Sequence, residues 1–492
     1  MPSGRESMAA VVIVCTLGAF MSVLDQTVVN IAIQDLTREF DASLNSVQWV
    51  LTGYLLTTAM VIPASGYLAD RFGIKRIYFL SLTGFTIASI LCGAAWDLHS
   101  LIAFRVLQGI GGGALMPLSM AMIFRIAPAN ERGKYTGLVG IPVLLAPAFG
   151  PVVGGLFVEY ASWRWIFFIN IPFGVFAAAV TWFALREQEG APTGAFDWPG
   201  ISASALGFAA LLFGLSEGPS RGWDDALVVG SFIVAVVALA TFVAVELRRD
   251  NPMVDLRLFR EREFRLANLV IVLASLGLFG GLFLLPIFFQ RVQGLTAAEA
   301  GLLLMPQAIA SGICMPIAGR LYDRIGPRWI ITAGMSLVAV TSAGLIFLQA
   351  DTSGWAIAPL LFLRGIGLGF AMMPSLTAAL NSVHGPALAR ATALTNTVRQ
   401  VAGSFGVAIL ATFLQERGSA LRESAVQGLA PGTPAFFEAI QRATIDSFHE
   451  AFLVTAIAIV PAIIAALGMR TGRTAHPASA EAQAARLEGT AM

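Results

Sequence analysis

Long apolar runs alternate with short polar turns along nearly the whole chain. Each run is long enough to cross the hydrocarbon core of a bilayer as a helix, which takes roughly 20 residues. The pattern predicts fourteen transmembrane helices, near residues 9–34, 45–69, 77–96, 101–124, 135–158, 165–185, 199–216, 226–247, 266–290, 298–318, 329–349, 355–376, 391–414 and 450–469. We therefore expect an all-α integral membrane protein.

The composition agrees with this expectation. Hydrophobic residues make up 57% of the 492 residues and charged residues 12%, whereas about a quarter of an average soluble domain is charged. The net charge of +1 gives no reason to expect a nucleic-acid partner. The three cysteines all lie within apolar runs, so we expect neither a disulfide framework nor a metal site.

The distribution of cationic residues predicts the orientation in the membrane. Outside the predicted helices, 21 Lys and Arg lie on the side of the N-terminus and 7 on the opposite side. The side with more cationic residues is normally the cytoplasmic one. Because fourteen is an even number, both termini are expected in the cytoplasm, on the inner side of the plasma (inner) membrane.

Several sequence patterns occur twice, which indicates a duplicated unit. The polar turn at 66–76 has a second copy at 319–328, shifted by 253 positions. The glycine-rich stretch at 107–113 recurs at 363–369, shifted by 256 positions. The repeats predict two six-helix bundles related by pseudo-two-fold symmetry, with a site between them at mid-membrane. Helices seven and eight have no counterpart in this repeat.

We therefore divide the chain into parts. Residues 9–185 form the first bundle, 197–248 an accessory helix pair that bridges the halves, and 264–414 with 450–469 the second bundle. The segment 415–449 faces outward, either as a cap over the outer mouth or as a mobile loop. The small, polar tail 470–492 is expected to be disordered and cytoplasmic.

The repeated turn has the chemistry of a gate between helices. A glycine at 66 permits close helix approach, and a glycine at 73 can adopt a positive φ in a tight reversal. The carboxylate at 70 can cap the following helix or hold an arginine at the membrane face. The gating residues are Gly66, Asp70, Arg71, Gly73 and Arg76, with Asp323 and Arg324 in the second copy.

Helix one carries a carboxylate, Asp25, in its middle. Inserting such a group costs about 3 kcal/mol, and intramembrane acids usually face a cavity. Gln26, Asn30 and Gln34 share one helix face, and Asp25 borders it. The residues alone leave two roles open for Asp25: a group that loads and releases protons, or a structural carboxylate bonded to a neighbouring helix.

Helix four carries Arg105, followed by Gln108, Gly109 and a glycine run to Gly113. The glycines allow close helix contact and leave the guanidinium little space except toward the cavity. Its fixed charge would then act on a nearby carboxylate. Alternatively, Arg105 anchors the helix at the outer lipid interface. Two further intramembrane cations have no readable partners: Arg364 and Arg399.

Helix five is rich in residues that bend a helix or flatten its surface. These are Pro147, Gly150, Pro151, Gly154 and Gly155. The residues expected to line the substrate cavity are Gln26, Asn30, Gln34, Trp49, Gln108 and Met116. Aromatic and methionine side chains such as Trp49 and Met116 could form its apolar part, although such residues also pack against helices or lipid.

These motifs resemble those of the major facilitator superfamily, and specifically its fourteen-helix drug:proton antiporter branch. The match comprises the turn at 66–76, Leu-Asp-x-Thr-Val-Val-Asn at 24–30, Arg-x-x-Gln-Gly at 105–109 and Gly-Pro-x-x-Gly-Gly at 150–155. Two positions depart from the family pattern. Ile74 stands where a cation is usual, and Ala146 stands where a first glycine is common. The connectors at 196–200 and 251–259 also look like those of this branch. The resemblance implies proton coupling by Asp25, proton transfer by Arg105, and antiport from the helix-five motif.

The resemblance implies proton-coupled export of amphipathic, drug-like compounds across the cell membrane. A dedicated exporter of one metabolite or lipid on the same scaffold is the alternative, and a non-transporting sensor is disfavoured by the combined motifs. No nucleophile–base set, metal set or phosphate-binding loop is recognisable in the sequence, so we expect no enzyme activity and no cofactor. The expected partners are a small-molecule substrate, protons and the lipid bilayer. We expect a functional monomer, with accessory subunits left open.

The charge asymmetry predicts which loops face the cytoplasm. Residues near Lys75, Lys134 and Arg257 should be cytoplasmic, and 415–449 should face outward. Single cysteines replacing Lys75 or Ala430 in a cysteine-free chain, probed in intact cells with a membrane-impermeant thiol reagent, test this. Labelling at 430 and not at 75 is expected, and the reverse pattern would contradict the topology.

Overall fold

The computed structural model describes residues 8–128, 131–186, 197–249, 252–383 and 387–470. Its helices in the first bundle are α1 (Met8–Glu39), α2 (Leu44–Phe72), α3 (Ile74–Gly93), α4 (Leu98–Ile126), α5 (Arg132–Tyr160), α6 (Trp165–Phe168) and α7 (Asn170–Ala184). The accessory pair is α8 (Trp198–Arg221) and α9 (Ala226–Arg248), followed by a short 3-10 helix, Leu256–Arg260. The second bundle contains α10 (Arg262–Arg291), α11 (Ala297–Ile325), α12 (Pro327–Gly344), α13 (Gly354–Asn381), α14 (Ala387–Ala425) and α15 (Pro434–Leu467).

The all-α membrane architecture is confirmed. In the described part of the chain, 13 helical segments are long and apolar enough to cross a membrane, counting α6 and α7 as one. The remaining predicted span coincides with α5, which is 29 residues long. Each of the fourteen spans expected from the sequence therefore corresponds to helix.

The two bundles repeat the same close helix contacts. Gly113 in α4 lies over the Thr58 carbonyl of α2, where an added Cβ would be 2.8 Å from the oxygen. Gly369 in α13 lies in the same way over the Ser311 carbonyl of α11, at 3.0 Å. Gly369 follows Gly113 by 256 positions and Ser311 follows Thr58 by 253 positions, which are the offsets of the sequence repeat. The glycine run is therefore needed for helix packing in both halves.

Helix α4 has a well-defined start that fixes the depth of Arg105. The Asp97 carboxylate accepts a hydrogen bond from the Ser100 backbone N–H at 2.7 Å, and Ser100 Oγ accepts one from the Asp97 N–H at 3.1 Å. These bonds to Ser100 hold the pKa of the exposed Asp97 carboxyl below its usual value. This capping box places Arg105 two turns into the helix.

The bundles meet closely on the side of the molecule that carries Gly73 and Gly326, hereafter the Gly73 face. There the start of α5 crosses the end of α11, and the end of α2 crosses the start of α14. A Cβ added to Gly133 would lie 2.5 Å from the Gly319 carbonyl oxygen, and one added to Gly66 would lie 2.6 Å from the Ala389 oxygen. The backbones of the two halves touch directly at both crossings.

The accessory pair covers the crossing of α2 and α14. Ala59, Leu212 and Ala408 pack together from α2, α8 and α14. The Trp223 indole N–H, in the turn after α8, donates to Thr412 Oγ1 of α14 at 3.0 Å. The pair thus contacts both bundles.

The segment 415–449, expected to be an external cap or a mobile loop, is mostly helical. Helix α14 continues to Ala425, and α15 begins at Pro434, capped by Thr433. Arg417 and Glu450 join the two helices through bonds of 2.6 and 3.0 Å. The segment is therefore an extension of two membrane helices with a short turn between them.

The crossing at Gly319 generates a stability prediction. Gly319→Ala places a methyl group against the Gly133 backbone, and overpacking of this kind costs about 1–3 kcal/mol. The apparent unfolding temperature in detergent should fall. The control is Gly84→Ala in α3, where an added Cβ has nothing within 4 Å. It should be neutral or stabilising, because alanine favours helix by about 1 kcal/mol over glycine. Equal unfolding temperatures for the two variants would contradict the contact.

Candidate functional site

A buried ion pair lies in the middle of the first bundle. Arg105 Nη1 donates to Asp25 Oδ2 at 2.5 Å, and both side chains are fully enclosed. Gln108 Nε2 and Asn170 Nδ2 donate to the other carboxylate oxygen at 2.9 and 3.1 Å. The Asp25 carboxylate thus accepts three hydrogen bonds from two other helices, as a buried charge requires.

Arg105 is held by further neutral groups. Its Nε donates to the Val50 carbonyl at 3.0 Å, its Nη1 also donates to Gln108 Oε1 at 2.7 Å, and its guanidinium lies 4.2 Å from the centre of the Tyr54 ring. The interpretation of Arg105 as an anchor at the lipid interface therefore fails, because its side chain has no exposed surface. A guanidinium makes this many directed contacts where an ammonium could not.

Asn170 is a site residue that the sequence motifs did not reveal. The sixth span is interrupted at Ile169, so α7 begins with Asn170 next to Asp25. The Asn170 amide also donates to Ser89 Oγ at 3.1 Å. The available signal was one amide side chain, Asn170, in a span whose other residues are apolar except for Thr181.

Two atoms of the network have no partner. Arg105 Nη2 and Asn170 Oδ1 are buried and make no hydrogen bond. One donor and one acceptor therefore remain unused beside the carboxylate. Protonation of Asp25 would remove its charge and release Arg105 from the ion pair. The Asp25 carboxylate can thus either bind a proton or form the salt bridge with Arg105.

The expected cavity residues are only partly assembled around this pair. Gln108 is in the network, and half-buried Gln26 bonds to the Tyr54 hydroxyl. Trp49 is half-buried against Phe213 of α8, with ring centres 5.8 Å apart. Met116 is packed in the core of the bundle. The side chains of Asn30 and Gln34 lie outside the described part of the structure.

The helix-five motif packs against the helix that carries Asp25. Gly150 lies against Thr27, and Thr27 Oγ1 donates to the Ala146 carbonyl at 3.3 Å. Gly154 is buried, whereas Gly155 faces open space. The side chains of Pro147 and Pro151 fall outside the described residues. A small residue at 150 thus permits α5 to approach α1 close to Asp25.

The first gating turn links the two bundles by charge. Asp70 accepts from Arg125 Nη2 at 2.6 Å within the first bundle and from Arg390 Nε at 3.1 Å in the second. Helix α3 has no side-chain cap, so Asp70 holds arginines and does not cap the following helix. Gly73 has φ 90°, the positive value expected for the reversal.

The remaining turn residues are more peripheral. Arg71 donates to the Tyr67 hydroxyl at 3.3 Å, and Arg76 is exposed. In the second copy Asp323 accepts from the Gly133 backbone N–H at 3.3 Å, so it too crosses between bundles, and Arg324 is exposed. The first turn thus binds two arginines, whereas the second binds the start of a helix.

Among the described residues of the second bundle there is no equivalent of the Asp25 pair. Arg364 is fully buried and donates to the Gln307 side chain at 2.8 Å and to the Gly277 carbonyl at 2.7 Å. In the described part of the chain no carboxylate lies within ion-pair distance of it. Arg399 is half-buried and donates to Asn396 Oδ1 at 3.1 Å.

Comparison with known protein families decides the family. The model for the Major Facilitator Superfamily matches residues 15–407, which include both bundles except the start of α1, the end of α14 and α15. The chain belongs to the Major Facilitator Superfamily. It is therefore a multi-pass membrane transporter by family, and the recognition made from its motifs is confirmed.

Named relatives of this transporter include resistance proteins. It is 37% identical over 405 residues to the multidrug resistance protein B homolog of Mycobacterium tuberculosis H37Rv, which covers 82% of this chain and 75% of that protein. It is 32% identical over 416 residues to the lincomycin resistance protein LmrB of Listeria monocytogenes, with coverage of 84% and 88%. The human organic anion transporter MFSD10 shares the fold, with a TM-score of 0.59 at 16% identity over 92% of this chain and all of that chain.

The Asp70 contacts predict a gating defect. Asp70→Asn removes the charge that holds Arg125 and Arg390, and bonds to charged groups contribute about 1–3 kcal/mol. A change of that size shifts a two-state equilibrium roughly 5- to 150-fold. Transport of a fluorescent probe such as ethidium should slow, with affinity within a few-fold of the parent. Glu131→Gln, which alters an exposed pair on the same face, should not slow it. Full-rate transport by Asp70→Asn across a range of pH would exclude this role.

Proposed function

We propose that this transporter is a proton-coupled exporter of amphipathic, drug-like compounds. The observation that supports it is the Asp25–Arg105 pair, a titratable carboxylate and a fixed charge enclosed together in one bundle. A carrier that exchanges substrate for protons needs one group whose charge changes between the two faces of the membrane. Asp25 meets this requirement at mid-helix.

Arg105 determines when the proton leaves. While the ion pair is closed, the guanidinium, Gln108 and Asn170 all stabilise the ionised carboxylate. Movement of α4 or α7 away from α1 removes these donors, and Asp25 then gains a proton because a bare charge in a dry bundle is costly. Proton binding and helix movement are in this way linked.

The class of substrate follows from the relatives. Their names refer to several drugs or to lincomycin, and an export role fits the helix-five motif. The alternative remains a dedicated exporter of one metabolite or lipid on the same scaffold. A panel of structurally unrelated drugs tested against cells that express the transporter separates the two: resistance to many supports the first, resistance to none the second.

The orientation and assembly belong to the same proposal. With both termini in the cytoplasm, the Gly73 face is the inner side of the plasma membrane. The contacts at Gly133 and Gly66 then close the inner side, and protons enter from outside. We propose that one chain performs the whole cycle as a monomer.

The test is Asp25→Asn in reconstituted vesicles with an imposed pH gradient and an internal pH dye. The amide is nearly isosteric and cheaper to insert, so the variant should fold with reduced stability, because Arg105 loses its counter-charge. It should lose ethidium-dependent proton movement and uphill efflux while retaining binding. The matched control is Asp35→Asn, the same change at a partly exposed position of α1 that pairs with Arg38.

Two results would decide the matter. Loss of proton movement in Asp25→Asn together with parental behaviour of Asp35→Asn supports the proposal. Parental proton release by Asp25→Asn on addition of ethidium places the coupling site elsewhere.

A further inference from the structure

A second pair of buried acids lies outside the Asp25 network, in the accessory helices. Asp197 caps the start of α8, and Glu246 lies in the last turn of α9, both on the Gly73 face. Their exposed fractions are 0% and 2%. Asp197 lies in the connector 196–200, to which the family resemblance assigns no chemical role, and the position of Glu246 at a span end gave no reason to expect burial.

Each acid uses only one of its two oxygens. Asp197 Oδ1 accepts from the Gly200 backbone N–H at 2.9 Å and lies 3.3 Å from Arg249 Nη2. Glu246 Oε2 accepts from the Val254 backbone N–H at 3.0 Å. Asp197 Oδ2 and Glu246 Oε1 are buried without any hydrogen-bond partner.

The two unpaired oxygens face the same point. A Cβ added to Gly200 would lie 2.6 Å from Asp197 Oδ2 and 2.8 Å from Glu246 Oε1. Two adjacent, dry carboxylates cannot both be charged at little cost, and a buried oxygen without a donor is itself costly. One proton held by one carboxyl and directed at the other satisfies both oxygens.

We propose that Asp197 and Glu246 share one proton and form a second proton-binding site in this transporter. The glycine at 200 leaves the space that this arrangement needs. Arg249, the residue directly after α9, neutralises one charge of the pair, with a side chain that is 33% exposed. Two ionised acids would carry two negative charges, and Arg249 supplies one positive charge. One bound proton therefore makes the net charge of the site zero.

The other charged groups near the pair are engaged elsewhere. On the 3-10 helix that follows, Asp255 accepts from the Arg257 backbone N–H at 3.0 Å. The Arg257 guanidinium donates to the Leu247 and Arg249 carbonyls at 3.2 and 3.4 Å. Arg390 of α14 contacts this region through the hydrogen bond that it donates to the Pro252 carbonyl. Among the residues that the structure describes, Arg249 is the one cation in ion-pair contact with either acid.

The shared proton is connected to the first gating turn by three hydrogen bonds. Glu246 holds the Val254 backbone N–H, and two residues earlier the Pro252 carbonyl accepts from Arg390 Nη1 at 2.9 Å. Arg390 in turn holds Asp70 at 3.1 Å. Loss of the proton leaves two carboxylates that repel each other, which displaces residues 252–254 and weakens the hold of Arg390 on Asp70. The site is therefore a pH sensor that keeps the bundles joined when protonated.

The proton itself is measured without transport, so the outcome is independent of the coupling role of Asp25. The full-length Asp25→Asn protein in lipid nanodiscs is titrated while the infrared carbonyl stretch of protonated carboxyl groups is recorded. We expect a titrating band that disappears in Asp25→Asn/Glu246→Gln. The glutamine keeps the bond from Val254 and offers an amide N–H to Asp197, so the fold is retained. Glu217→Gln, which alters an acid at the other end of α8, should leave the band unchanged.

The effect on the gate is measured by thiol labelling. Thr136 is fully buried where α5 meets α13, 3.1 Å from Thr377 across the junction of the bundles. In a chain whose three cysteines are replaced by alanine, the rate at which Thr136→Cys reacts with N-ethylmaleimide is divided by the rate of Ala430→Cys in the same background, because thiolate formation speeds every thiol as the pH rises. This ratio should rise several-fold with pH. Glu246→Gln should hold the ratio at its low value across the same pH range.

Three results would overturn the proposal. A carboxyl band that persists in Asp25→Asn/Glu246→Gln means that the proton resides elsewhere. A labelling ratio with the parental pH dependence in Glu246→Gln means that the pair does not act on the gate. A band that responds to Na⁺ at constant pH means that the oxygens bind a cation and share no proton.

Discussion

A charge inside a bilayer must be matched by other groups of the same protein, and the first bundle is arranged around this requirement. Asp25 and Arg105 neutralise each other, while Gln108, Asn170 and the Val50 carbonyl bond to most of their other polar atoms, and Arg105 Nη2 stays without a partner. Removing one partner of such a pair usually costs about 3–5 kcal/mol, far more than the intact pair contributes. The helices that supply these groups are therefore tied to α1, and any step that separates them must change the charge of the site.

The second constraint is the closeness of the two bundles on the Gly73 face. Backbone touches backbone where Gly133 meets Gly319 and where Gly66 meets Ala389. Such contacts have a short range, so a small separation of the bundles removes them. The charge-assisted bond between Asp70 and Arg390 crosses the same junction and weakens as the bundles separate. A junction of this kind suits a carrier that must never be open on both sides.

The repeat architecture was predictable from the sequence because glycine spacing and apolar length report directly on helix packing. Asp25 and Arg105 were predictable for a related reason: a charge in an apolar run is costly and needs an explanation. Asn170 and Glu246 were not, since their surroundings depend on a helix interruption at Ile169 and on residues 252–254 folding over the end of α9. The helices within 415–449 were not predicted, because the polar residues of this segment are as typical of a solvent-exposed helix as they are of a loop.

The position of α8 has a consequence for compounds that dissolve in lipid. Two bundles placed side by side leave two lateral seams, one between α2 and α14 and the other between α5 and α11. The first is roofed by α8, with Leu212 packed against both of its walls. Next to the second, α11 leaves Ile309, Ile313 and Ile317 exposed. A compound that approached from the lipid would therefore find the first seam covered by α8 and the second without such a cover, a difference that the twelve repeated helices alone would not create.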